Sequence, residues 1–341
     1  FRLVYEMAGC RKPILRLWVS SMEDSAIREG FSDLRPGADY EALYQSALCR
    51  QKADWLVGIN ATRLFSVLYH RTLNVGRVQT PTLAMLAERD AKITLFHKEK
   101  YHLLRLTLDG TEAVSEKFTD PTEAEQAAAM CKGVTVTCTS VTKEQKKEQP
   151  PKLYDLTTLQ REANRLFGYT AKQTLDYAQS LYEKKLLTYP RTDSRYLTSD
   201  MAETASCVIH LAAKLPPFDG CGNFFPLVEG MISDKDVSDH HAIIPTMEIE
   251  KADIKTLPLG ERNLFLLVCC KLLCASAEPY VYEAVTATFD CSGQSFTAKG
   301  KRILSEGWRE IDRIFRTFLK ENPEDGDGGT LPDFTEGQTF D

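Results

Sequence analysis

A chain of 341 residues is too long for one ordinary hydrophobic core, so two or more domains are expected. Its 43% hydrophobic and 26% charged residues are typical of globular chains, and the lack of any apolar run of membrane-spanning length excludes a membrane protein. The net charge of −6 is uneven: segment 320–341 holds one Lys and seven acids, whereas Asn60–Arg105 holds eight Lys or Arg against three acids, a net +5. Salt screens charges that lie more than ~10 Å apart. A phosphate group near Asn60–Arg105 would therefore be attracted by this local positive charge, whatever the net charge of the whole chain.

The start of the chain and its cysteines point to a fragment of a cytosolic protein. The sequence opens FRLVYEMAGC, with neither an initiator Met nor the basic and then apolar layout of a signal peptide, so we expect a longer protein. Its ten cysteines form no CxxC pair, which argues against zinc. We expect them to be buried and reduced, without disulfides.

The first half of the chain changes from a helical to a strand pattern. Tyr40–Asp90 is predicted to be helical, with an apolar stripe, a break at Asn74-Val75-Gly76 and a new helix from Thr80-Pro81, where Pro81 takes the first helical position. Alternating residues rich in Thr and Val predict three strands, over 101–108, 134–141 and 281–289. KEQKKEQPPK, residues 143–152, has the composition of a linker, and the GDGGT segment near the end that of a loop or a disordered region.

Two predicted helices and a short strand follow this segment. Each helix has the pattern of a capping box, namely Thr157 with Gln160 and Thr170 with Gln173. Gly168 is predicted to end the first helix, and Leu186–Tyr189 to form the strand. This order is the outline of a winged helix-turn-helix, although many two-helix corners share it. Because β-rich segments lie on both sides, over 93–150 and 279–319, we expect a β domain interrupted by a helical one.

The segment TYPRTDSRY, residues 188–196, combines the phenol of Tyr189 with two guanidiniums and a carboxylate. The unperturbed pKa of a phenol is about 10. The aryl phosphodiester that a phenol forms stays reactive, because phenolate is a better leaving group than an alkoxide. A phosphodiester chain can therefore be cut and resealed without a separate energy source. The absence of a GxxxxGK phosphate loop fits that chemistry. In an extended strand Arg191 shares a face with Tyr189 and can clamp a phosphate, while Pro190 keeps Tyr189 extended. The alternative is a buried tyrosine beside a surface ion pair. Asp193 can orient Arg191, and Arg195 can reach a DNA backbone.

Two other segments carry side chains suited to phosphate. SDHHAIIPT, residues 238–246, puts His240 and His241 beside an apolar strand, where either can donate to a phosphate or move a proton. NVGRVQTPTL, residues 74–83, projects Arg77 and Gln79 near a helix N-terminus, which itself attracts phosphate. The alternatives are a structural histidine pair and a capped loop with a solvated arginine. Without a third ligand, no metal site is expected.

Together the three segments resemble those of type IA DNA topoisomerases, of the bacterial topoisomerase III branch. LLTYPRTDSRYL is similar to the family's active-site segment, GRVQTPTL to its single-strand-binding helix and DHHAIIPT to its histidine segment, in the family's order. The resemblance covers about Arg2 to Trp308 and implies a multidomain α+β fold. Its implied parts are a helical DNA-holding domain (1–93), a β-rich hinge domain (94–152 and 278–319), a winged-helix tyrosine domain (153–277) and an acidic segment leading back to the DNA-holding domain (320–341).

The resemblance also implies the function and the residues that perform it. A member of the family cuts one DNA strand through a 5′-phosphotyrosine intermediate, passes another strand and reseals the first without ATP. Tyr189 is implied as the nucleophile and Arg191 as the group that stabilises the phosphate, while His240 matches the family's histidine better than His241. Further contacts with single-stranded DNA are implied for Arg63, Arg77, Gln79, Lys185, Asp193 and Arg195.

One departure from the family limits what we expect of the chain alone. The family implies a preceding toprim domain with an acidic Mg²⁺ site and with a glutamate and a lysine beside the scissile phosphate, none of which is recognisable here. Closing helices, and any zinc or basic tail, are expected beyond Asp341. We therefore predict a cytoplasmic monomer that binds single-stranded bacterial nucleoid or plasmid DNA weakly and does not cleave it. No metal, nucleotide or membrane partner is expected for this part.

Two other functions compete with this interpretation. The first is a non-catalytic helix-turn-helix module that binds DNA or another protein, which the absence of DxD and REGE sequences upstream would favour. The second is a tyrosine recombinase, which needs several Arg and His residues spread ahead of a tyrosine near the C-terminus. Tyr189 lies in the middle of the chain instead.

Overall fold

The computed structural model describes residues 2–19, 24–220, 226–237, 239–320 and 331–340, which fall into two units. The first unit consists of Phe1–Trp18 and Glu29–Lys100, and the second of Val19–Arg28 and Tyr101–Asp341. The α-helices of the described residues are α1 (Arg2–Met7), α2 (Asp24–Ser32), α3 (Glu41–Leu68), α4 (Gln79–Thr94), α5 (Pro121–Cys131), α6 (Leu156–Phe167), α7 (Ala171–Glu183), α8 (Ala202–Ala212), α9 (Leu259–Ala275) and α10 (Trp308–Phe318). Their strands are β1 (Leu15–Arg16), β2 (Arg35–Pro36), β3 (Arg105–Leu108), β4 (Thr111–Ser115), β5 (Val136–Glu148), β6 (Tyr280–Cys291), β7 (Gln294–Ser305) and β8 (Thr339–Phe340).

Two long helices, α3 and α4, dominate the first unit and confirm the helical prediction for Tyr40–Asp90. α4 begins at Gln79, so Pro81 takes its third position. The prediction that Pro81 takes the first position was wrong. Because the first N–H groups of a helix have no partner within it, the missing N–H of Pro81 still costs no hydrogen bond. Neither helix has a fully buried residue, so the predicted apolar stripe stays largely exposed.

A six-stranded antiparallel sheet, with the order β3-β4-β7-β6-β5-β8, forms one part of the second unit. Both β-rich segments of the sequence contribute strands to it. Its core contains the buried aromatic side chains Phe289, Phe296, Phe334 and Phe340. The predicted strand over 101–108 is shorter than expected and begins at Arg105.

The linker predicted over residues 143–152 was wrong for its first six residues. Residues 143–148 form the second half of β5 and pair in continuous register with β6, from Lys143 with Val285 to Glu148 with Tyr280. Most of their side chains are exposed. A strand with no buried face lacks the apolar alternation on which strand prediction depends, and only pairing with β6 fixes its conformation.

The helical part of the second unit is built around α9, most of whose residues are buried. Side chains of α6, α7, α8 and α10 contribute to the same core. The predicted capping box of Thr170 with Gln173 is confirmed, and Gly168 ends α6 with a left-handed φ of 69°. The other predicted box, of Thr157 with Gln160, was wrong: α6 is capped by Asp155 with Thr158, since its first turn starts two residues earlier than predicted.

Three other expectations need correction or lie outside the described residues. The strand predicted over Leu186–Tyr189 is reduced to one isolated bridge at Leu187. Of the cysteines expected to be buried, Cys49 and Cys207 are exposed. The GDGGT segment, predicted to be a loop or disordered, lies outside the described residues, as does Ser238.

Candidate active site

Tyr189 is half-buried in an irregular segment that follows α7. This segment lies beside the histidine segment: Leu187 bridges Pro245, and the backbone N–H of Thr188 donates to the carbonyl of Ile244 at 3.0 Å. The fold thus brings together two of the three segments that the sequence singled out.

Buried hydroxyl groups hold these two segments together. The Oγ1 of Thr188 donates to the carbonyl of Ala242 at 3.1 Å and accepts from the N–H of Ile244 at 3.0 Å. The Oγ1 of Thr192 donates to the carbonyl of His240 at 2.8 Å. Buried hydrogen bonds of this kind fix backbone positions, because leaving either partner unsatisfied is costly. The sequence interpretation assigned no role to either threonine.

The two histidines occupy different environments. The imidazole of His240 lies against the ring of Tyr189, with centroids 4.5 Å apart and planes inclined by 47°. Burial lowers the pKa of His240 below its ordinary value, with Asp239 opposing the shift, so the ring is neutral at pH 7. His241 is buried, with its Nδ1 2.8 Å from the carbonyl of Ala242, and burial lowers its pKa as well. Of the two imidazoles, that of His240 is the one in contact with the Tyr189 ring.

Of the two arginines that follow Tyr189, Arg191 is the more accessible to a ligand. Arg191 and Asp193 are both exposed, and within the described residues no ion pair joins them. The Nε of Arg195 donates to the carbonyl of Leu153 at 3.2 Å, so that guanidinium is partly engaged by the backbone. Since this stretch is not a regular strand, the alternation that was predicted to place Arg191 on the face of Tyr189 does not apply.

Lys185, predicted to contact DNA, forms an ion pair within the protein. Its Nζ lies 2.6 Å from Oδ1 of Asp24, and this hydrogen bond lowers the pKa of Asp24. The backbone of Lys185 has a left-handed φ of 63°. The neighbouring Lys184 pairs with Glu261. Neither lysine therefore presents an uncompensated charge beside Tyr189.

Tyr182 is a site residue that the sequence analysis did not single out. It lies in the last turn of α7, and its ring meets that of Tyr189 edge to face, with centroids 5.5 Å apart and planes at 74°. Burial raises the pKa of Tyr182, and the neighbouring Tyr189 adds to the shift. Its place in the last helical turn before the tyrosine segment is the sequence signal that points to it.

In the first unit, the loop before α4 presents Arg77. Thr62 of α3 anchors this loop, because its Oγ1 accepts from the N–H of Val75 at 3.0 Å. The guanidinium of Arg77 forms a two-point ion pair with Asp54, in which Nε lies 2.5 Å from Oδ1 and Nη2 3.3 Å from Oδ2. This hydrogen bond lowers the pKa of Asp54, a residue to which the sequence interpretation gave no role.

The other two candidates of the first unit, Arg63 and Gln79, are exposed. Arg63 lies on α3 and, among the described residues, pairs with no carboxylate. Gln79 begins α4, and its side chain lies over Gly76: a Cβ at Gly76 would come within 2.9 Å of the Gln79 Nε2. A glycine at that position therefore leaves room for the Gln79 amide.

The described residues contain neither a cluster of metal ligands nor a membrane-spanning helix. Within the part of the chain that the structure describes, no three His, Cys, Asp or Glu side chains are grouped to hold a metal ion. Across the same residues, every helix is too short or too polar to cross a bilayer.

The chain is similar to several known proteins. A family described as DNA topoisomerase matches residues 38–341. DNA topoisomerase 3 of Bacillus subtilis (strain 168) is 39% identical over 355 aligned residues, which cover 99% of this chain and 48% of that protein. The protein of the same name from Shouchella clausii (strain KSM-K16) is 40% identical over 326 residues, or 90% of this chain and 44% of that protein. The structure of full-length topoisomerase I from Thermotoga maritima shares the fold, with a TM-score of 0.73 at 22% identity over 95% of this chain and 52% of that one. The chain thus spans about half the length of the curated relatives that it matches.

Proposed function

Because the chain belongs to the type IA family of DNA topoisomerases, on the topoisomerase III branch, we propose that Tyr189 is the nucleophile of DNA strand cleavage. Its phenolic oxygen forms a bond to the phosphorus of one DNA strand, and the bond from phosphorus to the 3′ oxygen of the preceding sugar breaks. The phenol loses a proton and the departing 3′ oxygen gains one. The product is a 5′-phosphotyrosine, and resealing is the reverse exchange, so no ATP is consumed.

The observation that carries this proposal is the contact of Tyr189 with His240 at a ring separation of 4.5 Å, with an exposed Arg191 two residues further on. A neutral imidazole can donate to a phosphate oxygen or carry a proton. A guanidinium without a carboxylate partner can bind the non-bridging oxygens and stabilise charge that develops on them. A phenol, an imidazole and a guanidinium together suit phosphoryl transfer better than any role in folding.

Two finer assignments belong to the same proposal. The helices α6 and α7, with the short pairing at Leu187, act as a winged helix-turn-helix that carries Tyr189 away with the cut strand, while the β sheet acts as the hinge. The exposed side chains of the first unit, Arg63, Arg77 and Gln79, bind the single strand. Strand passage, action as a monomer and a place in the bacterial cytoplasm complete the proposed function.

The chain by itself is proposed to bind single-stranded DNA and not to cut it. No described side chain forms a hydrogen bond with the Tyr189 hydroxyl, so none is placed to take its proton directly. Nor do the described residues group acids that hold a metal ion near the phosphate. Binding requires only the exposed cations, whereas cleavage requires activation of the phenol as well.

The test compares the chain alone with an extended protein, defined as this chain joined to the segments that its relatives carry outside the matched region. Both are incubated with Mg²⁺ and an end-labelled single-stranded oligonucleotide, and covalent adducts are resolved on a denaturing gel. We expect an adduct from the extended protein, none from its Tyr189→Phe variant and none from the chain alone. An adduct in the Tyr189→Phe variant would remove Tyr189 from the mechanism. Tyr182→Phe is the matched control, since it deletes a phenolic oxygen from the neighbouring ring.

A further inference from the structure

A cavity of about 530 Å³ lies in the first unit, where the β1–β2 pair meets the start of α3. Its wall is mostly apolar, with side chains such as Ile14, Leu17 and Leu43. The charged residues among those that line it are both basic, Arg2 and Arg16. Its volume falls within the range of about 300–1,000 Å³ that is typical of small-ligand sites. An apolar wall with basic groups suits a ligand that is partly flat and apolar and partly anionic.

The backbone around the cavity is closely packed at one point. The N–H of Gly37 donates to the carbonyl of Ile14 at 2.8 Å, next to the β1–β2 pair. A Cβ at position 37 would lie 2.8 Å from the Cβ of Ile14, so any side chain there would push the two segments apart. The glycine therefore preserves the pairing that sets Arg16 at the cavity.

Aromatic rings orient the guanidinium of Arg16. Its central carbon lies 4.7 Å from the ring centroid of Trp18 and 4.6 Å from that of Tyr40. A guanidinium stacked on aromatic rings presents its N–H groups at its edge, in a fork that matches two phosphate oxygens. Among the described residues no carboxylate pairs with Arg16. Its cross-strand neighbour Arg35, by contrast, pairs with Asp33 at 3.0 Å.

Arg2 supports the same wall of the cavity. Its guanidinium carbon lies 4.4 Å from the ring centroid of Tyr44, and its Nη2 lies 2.5 Å from Oε2 of Glu41. The Nε atoms of Arg2 and Arg16 are both buried and have no hydrogen-bond partner in the described structure. A buried donor without an acceptor lowers the stability of the folded protein. Two such donors beside one cavity therefore indicate that the cavity serves a purpose other than folding.

We propose that this cavity, which we call the Arg16 site, binds one nucleotide of a single DNA strand. The phosphate lies on the edge of the Arg16 guanidinium, and the base packs against the apolar wall beside Tyr40 and Tyr44. Aromatic and arginine side chains in a basic groove are the usual means of binding single strands. The inference rests on the proposed function, which it extends by a contact separate from Arg77.

The test measures how tightly the chain binds a fluorescent single-stranded oligodeoxynucleotide, by anisotropy at several salt concentrations. Arg16→Gln removes both the charge and the forked arrangement of N–H donors, so we expect about tenfold weaker binding. The slope of the logarithm of the binding constant against the logarithm of the salt concentration should become shallower by about 0.7, which is the contribution of one phosphate on a single strand. Arg16→Lys keeps the charge and loses the fork, and should keep the wild-type salt dependence with intermediate affinity. The matched control, Arg35→Gln, makes the same charge change on the paired strand outside the cavity and should alter the affinity less than about twofold.

The outcomes separate this inference from the proposed function. If wild type binds the oligonucleotide but Arg16→Gln and Arg35→Gln behave alike, the Arg16 site is wrong and the proposed function stands. If wild type does not bind at all, the proposed binding of single-stranded DNA by the chain itself fails and the inference fails with it, while the adduct assay on the extended protein still decides the role of Tyr189. Circular dichroism and thermal midpoints check folding. If Arg16→Gln does not fold, Arg16→Lys decides the matter, because unchanged affinity in that variant would overturn the role of the fork.

Discussion

The imidazole of His240 and the phenol of Tyr189 are in contact, with ring centroids 4.5 Å apart, although the two residues belong to separate segments of the sequence. We predict that His240→Ala in the extended protein slows formation of the covalent adduct by about 10²-fold, the usual scale for loss of one donor to an oxygen that gains charge in the transition state. Single-stranded DNA affinity should change little, since the basic groups remain. Gel quantification of adduct against time measures the rate. His210→Ala, at an exposed histidine of α8, is the control, and a wild-type rate for His240→Ala would exclude a chemical role.

Tyr182 is expected to position Tyr189. Its edge-to-face contact restricts the phenol, and misplacing a nucleophile by about 1 Å can cost ~10²-fold in rate. Tyr182→Ala should therefore slow adduct formation at least about tenfold, whereas Tyr182→Phe, which keeps the ring, should stay within about twofold of wild type. The same gel assay applies, at saturating oligonucleotide so that binding does not enter. Equal rates for the Ala and Phe variants would contradict a positioning role.

Thr188 should contribute to stability through its buried hydroxyl. Thr188→Val keeps the shape of the side chain and leaves the N–H of Ile244 and the carbonyl of Ala242 without that partner. We expect the free energy of unfolding in urea to fall by about 1–3 kcal/mol. Thr157→Val, at an exposed threonine of α6, is the matched control and should change it by less than about 0.5 kcal/mol. Equal effects of the two substitutions would show that the Thr188 hydrogen bonds contribute nothing net.

Asp54 should compete with DNA for Arg77. Its carboxylate holds the guanidinium in a two-point ion pair, and a phosphate must take its place. Asp54→Asn should strengthen binding of single-stranded DNA by up to about fivefold, because an exposed ion pair of this kind is weak. Arg77→Gln should weaken binding and abolish the effect of Asp54→Asn in the double variant. Asp90→Asn makes the same charge change on α4, and an equal gain there would attribute the effect to net charge alone.

Acid should destabilise the second unit through His241. Burial lowers its pKa in the folded state below the ordinary value of about 6.5, so unfolding takes up a proton at pH values between the two. The stability associated with the neutral ring is present above pH 6.5 and is lost as the pH falls through the folded-state pKa. The urea midpoint should thus fall between pH 7.5 and 5.5, and His241→Asn should reduce that fall. Burial also lowers the pKa of His240, so His240 should account for part of the fall in the urea midpoint that remains in the His241→Asn variant. A pH dependence unchanged by His241→Asn would assign the effect to other groups.

The features that the sequence predicted well are those fixed by neighbouring residues. The capping box of Thr170 with Gln173 and the left-handed Gly168 depend on contacts within four residues, and both were recovered. The resemblance of three segments to type IA topoisomerases is confirmed by the family match and by the Bacillus relatives. The capping box at α6 failed by two residues, because several polar side chains near a helix start satisfy the same pattern and the tertiary path of the chain chooses among them.

Charged strands and ion pairs depended on the fold. Residues 143–148 resemble a linker in composition, and their pairing with β6 made them a strand. Lys185 and Arg77 were both predicted to contact DNA, and the fold gave each a carboxylate partner, Asp24 and Asp54. Neither carboxylate is near its partner in the sequence, so no local pattern announces these pairs.

The sequence by itself determined which chemical groups the protein has and which family it belongs to, because short motifs of fixed spacing carry that information. Only the tertiary structure decided which of those groups meet. It set the ring of His240, and not that of His241, against Tyr189, added the Tyr182 ring to that contact, and left the Arg191 side chain exposed. The reason is physical: spacing fixes contacts within a turn or a strand, whereas contacts between distant segments follow from packing of the whole core.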